Sequence, residues 1–326
     1  MNILIITPNP IDTTSFYRAW GVFPYLSRRM DGLNLITDKN RQMTWADIAQ
    51  MDLVYMHRPF ALEHLKFAQY VKEMKIPLWM DYDDDLTSIP EWMSFYQTYM
   101  TEQTQKIIAT LIGLADVLTV STQALKDRFQ SLNKAITIIP NALNDFIFDT
   151  NPMPYNANKI MMWRGSETHH VDLLTFSETI KKSVNKEDWE WQYFGYNPWF
   201  LPKTRHIPTM DPIMYFRSIR SINPGVMFVP LVDDTFNRCK SNINWLEATY
   251  AGSVCLVPEF ESWDVRGVFR YATIAEFSAL LEFLMSPESI LLRKSHYLAS
   301  WEHIKDNYLL SVVNGKRKAI IKQLVK

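Results

Sequence analysis

Short apolar segments that alternate with helical ones are the feature that most constrains the fold of this 326-residue chain. The apolar segments have the length of buried strands, and between them apolar residues recur at helical spacing. Because strands that alternate with helices form parallel units, the first half of the chain is predicted to be α/β. The predicted strands are 2–7, 53–57, 77–81, 117–121 and 135–139, and the predicted helices begin at about Ser15 and lie near 61–74, 95–115 and 122–131.

The pattern starts again after residues 150–158, a polar segment (TNPMPYNAN) with two prolines that is typical of a linker. The second set of strands is predicted at 159–163, 189–194, 225–230 and 254–258, with a helix from about His169 to Val184 and further helices within 287–326. A chain of this length fits two α/β domains of about 150 residues each. The sequence therefore predicts an α/β protein of two domains.

Composition narrows the class of protein. Hydrophobic residues make up 47% of the chain and charged residues 21%, as in ordinary globular proteins. A net charge of −1 and a pI near 6.7 give no overall attraction for nucleic acid. Cys239 and Cys255 show neither metal-site spacing nor a disulfide framework, which suits a reducing compartment. With no basic signal-peptide start and no apolar run of about 18 residues, we expect a soluble, cytoplasmic protein.

The most informative segment for function is 236–259, which has the pattern of a polar loop, a helix and a short buried strand. Lys240 and Glu247 are seven residues apart, so on one helix they would share a face with about 10 Å of rise between them. A cation near a helix start suits a phosphate, and a carboxylate two turns later can accept hydrogen bonds from vicinal hydroxyls. That spacing fits a nucleoside diphosphate. The alternative is a solvated amphipathic helix with two unrelated charges.

The same segment resembles a known family. Residues 240–259, KSNINWLEATYAGSVCLVPE, are similar to the donor-site helix of the retaining nucleotide-sugar glycosyltransferases of family 4, and Asn-x-x-Lys-Ser at 237–241 resembles a divergent branch that includes phage-encoded enzymes. The resemblance implies that Lys240 binds the donor diphosphate and Glu247 the ribose, with Asn237 and Ser241 in the same donor site. Members usually carry another Glu eight residues before the ribose Glu, where this chain has Cys239.

The resemblance also implies an architecture and a donor. The fold would be GT-B, with two Rossmann-like domains whose parallel sheets face a central cleft. Residues 1–150 would form the acceptor domain and 151–307 the donor domain, with a C-terminal helix at about 308–326 packing back on the first. The donor substrate would be a UDP- or GDP-sugar, with no cofactor required and no metal. A phage-encoded member would act in the host cytoplasm.

A second candidate site follows the first strand of the second domain, where open α/β sheets bind ligands. Arg164 can pair with a phosphate while Gly165 and Ser166 present backbone N–H groups to it. The alternative is a plain turn capped by Ser166 or Thr168. His169 begins the next helix, and in the resembling phage-type enzymes a His often follows such a turn. It is therefore a candidate catalytic residue, with a surface helix-start position as the alternative.

Acidic residues at 81–85 (DYDDD) follow a predicted buried strand, where carboxylates repel one another unless cations or hydroxyls are near. Three interpretations stay open. The run is the Asp-x-Asp metal site of the GT-A fold, which the repeated α/β pattern disfavours. Alternatively Asp83, Asp84 and Asp85 orient or deprotonate an acceptor hydroxyl. The third interpretation is a solvated acidic loop.

Further residues are weaker candidates. Arg18 opens the first long predicted helix, beside the end of the first strand, and Arg58 directly follows a predicted strand. Each would complete the cleft or be an ordinary surface arginine. Tyr196 and Trp199 lie in a loop and could stack on a base or a sugar. Basic residues interleaved with apolar ones near the C-terminus form a solvated helix face or contact DNA; they are Lys316, Arg317, Lys318 and Lys322.

These observations favour a glycosyltransferase that moves a sugar from a nucleoside diphosphate to an acceptor hydroxyl. Its partners would be the nucleotide sugar and a glycan or other hydroxyl acceptor. One alternative is a phage enzyme that glycosylates a hydroxymethylated base in DNA. Another is a GT-B protein that binds nucleotide sugars without transferring them, which Cys239 motivates.

Overall fold

The computed structural model describes residues 1–7, 12–27, 30, 32–37, 43–184, 186, 188–202 and 204–325. It contains two compact units. The first comprises Met1–Ile147, Cys239–Ser241 and Leu309–Lys326, and the second comprises Phe148–Arg238 and Asn242–Tyr308.

The first unit is built on a parallel sheet of six strands in the order β2-β1-β3-β4-β5-β6. These strands are β1 (Asn2–Ile6), β2 (Asn34–Thr37), β3 (Leu53–His57), β4 (Leu78–Tyr82), β5 (Val117–Val120) and β6 (Ile136–Ile138). Every residue of the central strands β3, β4 and β5 is buried, as expected where helices cover both faces of a parallel sheet.

The second unit repeats the design with a parallel sheet of six strands in the order β12-β11-β10-β7-β8-β9. Its strands are β7 (Ile160–Gly165), β8 (Glu190–Gly195), β9 (Arg205–Ile207), β10 (Val226–Phe228), β11 (Val254–Pro258) and β12 (Val268–Tyr271). Two Rossmann-like α/β units confirm the predicted fold class. The repeat also removes the GT-A interpretation of the acidic run, because that fold has a single nucleotide-binding domain.

Helices connect the strands in both units. They are α1 (Thr13–Ser15), α2 (Phe23–Ser27), α3 (Trp45–Ile48), α4 (Leu62–Glu73), α5 (Tyr96–Tyr99), α6 (Glu102–Leu114), α7 (Gln123–Phe129), α8 (His170–Thr175), α9 (Ser177–Val184), α10 (Pro212–Ile222), α11 (Thr235–Arg238), α12 (Ile243–Tyr250), α13 (Ile274–Met285), α14 (Ile290–Asn307) and α15 (Leu310–Leu324). A π-helical turn spans Phe16–Trp20, and 3₁₀ turns span Glu167–His169, Glu261–Trp263 and Pro287–Ser289. Among the described residues, no helix is both long enough and apolar enough to cross a membrane.

The last helix, α15, is part of the first unit's core. Its buried side chains Val313, Ile320 and Ile321 join the cluster formed by the first sheet, which includes Tyr55 and Trp79. Leu309 forms a parallel bridge with Leu143 at the start of this helix. The chain therefore returns to the first unit after completing the second.

Two predicted helices are each divided into shorter segments in the structure. The helix predicted at 95–115 is divided into α5 and α6, because the Thr101 side chain caps α6 by accepting a hydrogen bond from Thr104 N at 3.1 Å. The helix predicted from His169 to Val184 consists of a 3₁₀ turn, α8 and α9. Local capping and turns of this kind are decided by single residues, to which a periodic pattern is insensitive.

Candidate functional site

The second unit contains a fully buried carboxylate, Glu247. The side chain of Glu247, in α12, is 0% exposed, and its Oε2 lies 2.5 Å from Nε of Arg164, at the end of β7. Tyr215 of α10 donates a hydrogen bond from its hydroxyl to the same oxygen at 2.8 Å. Burial, and then the nearby charge of Glu247, raise the pKa of Tyr215. The carboxylate is thus fixed by one cation and one hydroxyl donor, which makes it a rigid acceptor.

Arg164 has a carboxylate partner that the sequence did not predict. The sequence suggested that its guanidinium pairs with a phosphate, and the structure places it against Glu247. Its charge is therefore largely offset within the unit, and its predicted contact with a phosphate stays a prediction. Local sequence patterns could not predict that Glu247 is the partner of Arg164, because the two residues belong to different β–α units.

Lys240 does not lie on the helix that carries Glu247. Helix α12 begins at Ile243, and Lys240 belongs to the short segment Cys239–Ser241 of the first unit. Within that unit Thr122 donates to the carbonyl of Cys239 at 3.0 Å, and the Asn141 amide donates to the Ser241 hydroxyl at 2.8 Å. The argument from a shared helix face is therefore wrong, although the resemblance that also singled out Lys240 does not depend on it.

A histidine and a buried aspartate form a second polar group in the second unit. His169 Nδ1 lies 2.8 Å from Oδ2 of Asp172, whose side chain is 2% exposed. The other oxygen, Oδ1, accepts hydrogen bonds from Val232 N at 2.8 Å and from Asn237 Nδ2 at 2.9 Å. Asn237, predicted as a donor-site residue, thus uses its amide to hold Asp172. The predictions missed Asp172 because it stands alone in an otherwise apolar stretch of helix.

The carboxyl ends of β7 and β8 meet closely in this unit. Gly195 has φ +93°, and a Cβ there would lie 2.3 Å from the carbonyl oxygen of Gly165, so a side chain is excluded at this point. Tyr196 N donates to that same oxygen at 2.8 Å, and the Tyr196 hydroxyl lies 2.8 Å from Nδ1 of His170. Trp199, in the loop that follows, is 81% exposed.

Ser166 does not cap the helical turn that follows it. Its hydroxyl lies 2.6 Å from the hydroxyl of Thr168, and no side-chain cap is formed at the start of the 3₁₀ turn. The alternative that assigned Ser166 a capping role is therefore wrong. Its predicted part in donor binding stays a prediction.

In the first unit, Asp81 and Arg18 form a buried ion pair. Arg18 donates from Nε to Asp81 Oδ1 at 2.8 Å and from Nη2 to Oδ2 at 2.6 Å, and its Nη1 donates to the Ile139 carbonyl at 2.7 Å. Thr119 donates a further hydrogen bond to Asp81 at 2.5 Å. Burial alone would lower the pKa of Arg18, but the charge of Asp81 outweighs it and the pKa is raised. Arg18 is therefore an internal residue and not a surface arginine.

Arg58 holds two carboxylates of the acidic run. Its Nε contacts Asp83, and its Nη2 lies 2.5 Å from Asp84 Oδ2. His57 Nε2 lies 3.0 Å from the same Asp83 oxygen. Burial would raise the pKa of Asp83, but the positive charge of Arg58 and the His57 contact hold it well below its usual value. Arg58 adopts φ +49°, a left-handed conformation that costs a residue with a Cβ about 1 kcal/mol.

The carboxylate of Asp85 has more hydrogen-bond and ion-pair partners than that of Asp84. Its buried side chain accepts hydrogen bonds from Thr87 and Ser88 and forms an ion pair with Arg128 at 2.9 Å. The interpretation of 81–85 as a solvated loop is therefore wrong. Asp84, with 24% of its side chain exposed, is the carboxylate of the candidate set 83–85 that is most open to a ligand. Among residues that the structure describes, no group of three or more His, Cys, Asp or Glu side chains is arranged to hold a metal ion.

The basic C-terminal residues do not form one exposed face. Arg317 is buried, and its Nη1 donates to Asn314 Oδ1 at 3.1 Å. Burial, followed by the nearby positive charge of Arg18, lowers the pKa of Arg317 to about 9. Arg317 is therefore removed from the set of possible DNA contacts, because it faces the core on which α15 packs.

Comparisons with known proteins agree with this architecture. No protein-family model matches the sequence, and no curated protein matches it. A glycosyltransferase from Rickettsia africae ESF-5 is similar in structure, with a TM-score of 0.64 and 13% identity over 100% of this chain and 98% of that one. HepE (Alr3699) of Anabaena, in complex with UDP, has a TM-score of 0.66 and 10% identity over 99% and 100%.

A third similar structure contains DNA. An alpha-glucosyltransferase in complex with UDP-glucose and DNA containing an abasic site has a TM-score of 0.66 and 10% identity over 99% of both chains. Identities this low establish the fold and leave activity to other arguments. The chain therefore has the fold of the GT-B glycosyltransferases.

Proposed function

We propose that this protein is a glycosyltransferase that moves a sugar from a nucleoside-diphosphate sugar to an acceptor hydroxyl. The observation that carries the proposal is the buried Glu247, fixed by Arg164 and Tyr215. This is the position to which the family resemblance gives the ribose. A carboxylate held in one orientation needs no ordering before it accepts a hydrogen bond from a ribose hydroxyl; because the Glu247 side chain is 0% exposed, we propose that binding of the donor moves the side chains that cover it.

The donor is best taken as a UDP-sugar in the first instance. Two structures of the same fold hold UDP or UDP-glucose. A GDP-sugar uses the same diphosphate and ribose, so the residues that we assign serve either base. The family resemblance gives the diphosphate to Lys240 and Ser241; the backbone N–H groups of Gly165 and Ser166 are our candidates for a phosphate contact within the second unit.

Charge stabilisation would drive the transfer. The bond between the anomeric carbon and the diphosphate breaks as the acceptor oxygen bonds to that carbon, and the departing diphosphate gains negative charge. A cation such as Lys240 lowers the energy of that charge, so the chemistry that we propose uses no metal. Retention of configuration follows the family resemblance.

On the acceptor side we assign Asp84. The carboxylates of Asp83 and Asp85 are buried and bound by other residues of the first unit. Asp84 pairs with Arg58 and is partly exposed. It would orient or deprotonate the acceptor hydroxyl while Arg58 holds it in place.

A thermal-shift panel of UDP-, GDP- and other nucleotide sugars tests the donor assignment, because a ligand that binds the native state raises its melting temperature. Lys240→Ala should weaken binding of the selected diphosphate by about 1.5–3 kcal/mol, the worth of one charge-assisted contact. Equal binding by parent and variant would remove Lys240 from the site. Tight binding without transfer to any acceptor would instead favour the non-catalytic alternative.

A DNA acceptor is the second candidate, favoured by the similarity to the DNA-bound alpha-glucosyltransferase. Contacts to phosphates release counterions, so duplex affinity should fall steeply as salt rises, with a slope of about 0.9 per phosphate contacted. Binding to a duplex with hydroxymethylated bases can be measured by fluorescence anisotropy between low and physiological salt. A flat salt dependence, or no binding at low salt, would leave a glycan or a small-molecule hydroxyl as the acceptor.

A further inference from the structure

Three aromatic residues of the first unit form a cluster at the edge that carries Asp84. The ring centroid of Tyr99, at the end of α5, lies 4.7 Å from that of Phe60 and 5.8 Å from that of Phe95. All three residues are half-buried, so part of each ring is open to a ligand. Phe60 follows β3 and Asp84 follows β4, and neighbouring parallel strands end at the same edge of a sheet.

Two polar atoms near these rings are available to a ligand. Asp84 uses Oδ2 for its ion pair with Arg58, and no residue that the structure describes donates a hydrogen bond to Oδ1. The Tyr99 hydroxyl likewise makes no hydrogen bond to the described part of the chain. Burial raises the pKa of Tyr99, the charge of Arg58 opposes that rise, and the charge of Asp84 adds to it. The phenol therefore lies close to both charges, where it can donate or accept a hydrogen bond.

A groove between α4 and α6 adjoins this aromatic cluster. Its volume is about 400 Å³, which is within the range of small-molecule sites. Leu62 in its lining is two residues after Phe60, and Glu102 is three residues after Tyr99. The apolar lining residues are Leu62, Leu65 and Ile107, and the polar ones include Glu102, Gln103 and Thr110. The groove thus has both an apolar surface and hydrogen-bonding groups.

An uncharged sugar matches these surfaces. The C–H groups on one face of a sugar ring pack against aromatic and aliphatic side chains, while its hydroxyls need donors and acceptors around them. The local charge is unfavourable for an anion. Asp83 and Asp84 share the one positive charge of Arg58, and Asp85 is paired with Arg128, so carboxylates outnumber arginines here. Phosphates of a nucleic acid would be repelled at this edge.

We propose that the acceptor is an uncharged oligosaccharide whose terminal sugar stacks on Tyr99 and Phe60, with hydroxyls bound by Asp84 Oδ1 and the Tyr99 hydroxyl, and whose next sugar lies in the groove between α4 and α6. The inference rests on the proposed function, since it names the acceptor of that reaction. Tyr99 is then a residue that determines acceptor specificity, and the reaction extends an existing glycan.

Saturation-transfer difference NMR measures this binding without requiring transfer. The probes are methyl glycosides of glucose, galactose, mannose and N-acetylglucosamine, together with uncharged disaccharides that contain them. We expect one glycoside to bind, and a disaccharide that contains it to bind more tightly. Tyr99→Leu should weaken binding about tenfold through loss of the aromatic contact, and Tyr99→Phe about threefold through loss of one hydrogen bond. Tyr99→Phe keeps the ring, so it carries the test if Tyr99→Leu fails to fold.

Leu62→Ala tests the groove. Leu62 is 40% exposed, so its truncation removes apolar groove surface without opening the core. The disaccharide should lose its advantage, and monosaccharide binding should not change. The matched control is Tyr70→Leu, because Tyr70 packs on Trp45 at a centroid distance of 4.2 Å and lies late in α4, toward the opposite edge of the sheet. Sugar binding by this variant should equal that of the parent.

Absence of saturation transfer to every sugar, or equal binding by the parent and the Tyr99 variants, would overturn the inference. So would binding of a hydroxymethylated duplex, but of no sugar, that Tyr99→Leu abolishes, because the rings would then hold a base. Calorimetry with UDP and GDP on the same samples separates the two proposals. Nucleotide binding without sugar binding would overturn the inference alone, whereas a protein that binds neither nucleotide would overturn the proposed function.

Discussion

At the scale of residues, both candidate sites contain carboxylates that form ion pairs with arginines. Glu247 is paired with Arg164, and Asp83 and Asp84 share the single positive charge of Arg58. Removing one member of such a pair leaves a charge that the surroundings cannot solvate, and this costs more than the pair contributes. Stability and ligand binding are therefore linked at these positions, and each variant needs both measurements.

A double-mutant cycle measures the Arg164–Glu247 pair. Arg164→Gln and Glu247→Gln should each lower the free energy of unfolding by about 1–3 kcal/mol. This is less than the loss expected for a fully buried ion pair, because Arg164 is partly exposed. The double variant should lose less than the sum, which urea unfolding can resolve. The matched control is the exposed pair Glu102–Lys106, where we expect no measurable coupling. Additive effects at Arg164 and Glu247 would show that the pair does not interact.

The pH dependence of stability tests the Asp83 cluster. The pKa of Asp83 is lowered in the folded protein, whereas in the unfolded chain an Asp titrates near about 3.9. The unfolded state thus binds a proton first as pH falls, and the stability from Asp83 is present above about pH 4 and lost below it. Asp83→Asn should reduce the loss of unfolding free energy between about pH 5 and pH 3. An identical acid profile for variant and parent would contradict the assigned pairing.

At the scale of elements, apolar runs in the sequence predicted the central strands of both sheets but did not predict most of the edge strands. The strands that were missed, β2, β9 and β12, include three of the four sheet edges. Edge strands are short and partly exposed, so they lack a continuous apolar run. In β9, for example, Arg205 and His206 are exposed.

The junction of β7 and β8 gives a prediction at this scale. Gly195→Ala should destabilise the protein by more than about 1 kcal/mol, because φ is positive and the new Cβ would meet the carbonyl of Gly165. Gly113→Ala is the matched control, since it lies in α6 with its nearest neighbour at 3.6 Å, and it should be neutral or stabilising. The melting temperatures of the two variants, measured by thermal unfolding and compared with that of the parent, test this prediction. Similar effects at the two positions would contradict the close approach of β7 and β8.

At the scale of the whole molecule, the order of elements predicted the fold class correctly, and the sequence patterns singled out the segments that contain the charged residues of the candidate sites. The sequence did not predict which of these residues pair with one another. Arg164 with Glu247, His169 with Asp172 and Asn237, and Arg317 with the core all depend on contacts between distant β–α units. The resemblance at 236–259 pointed to the GT-B fold, which the structural comparisons support at 10–13% identity.

The most direct test of the proposed activity is sugar-dependent release of a nucleoside diphosphate. Wild-type protein would be incubated with a panel of nucleotide sugars and with glycan, small-molecule and hydroxymethylated-DNA acceptors. Mass spectrometry would then measure free nucleoside diphosphate and glycosylated product. We predict release with one nucleotide sugar, product carrying one added sugar, and strong loss of both in Glu247→Gln and Lys240→Ala. Folded protein that releases no nucleoside diphosphate from any member of the panel would contradict the account.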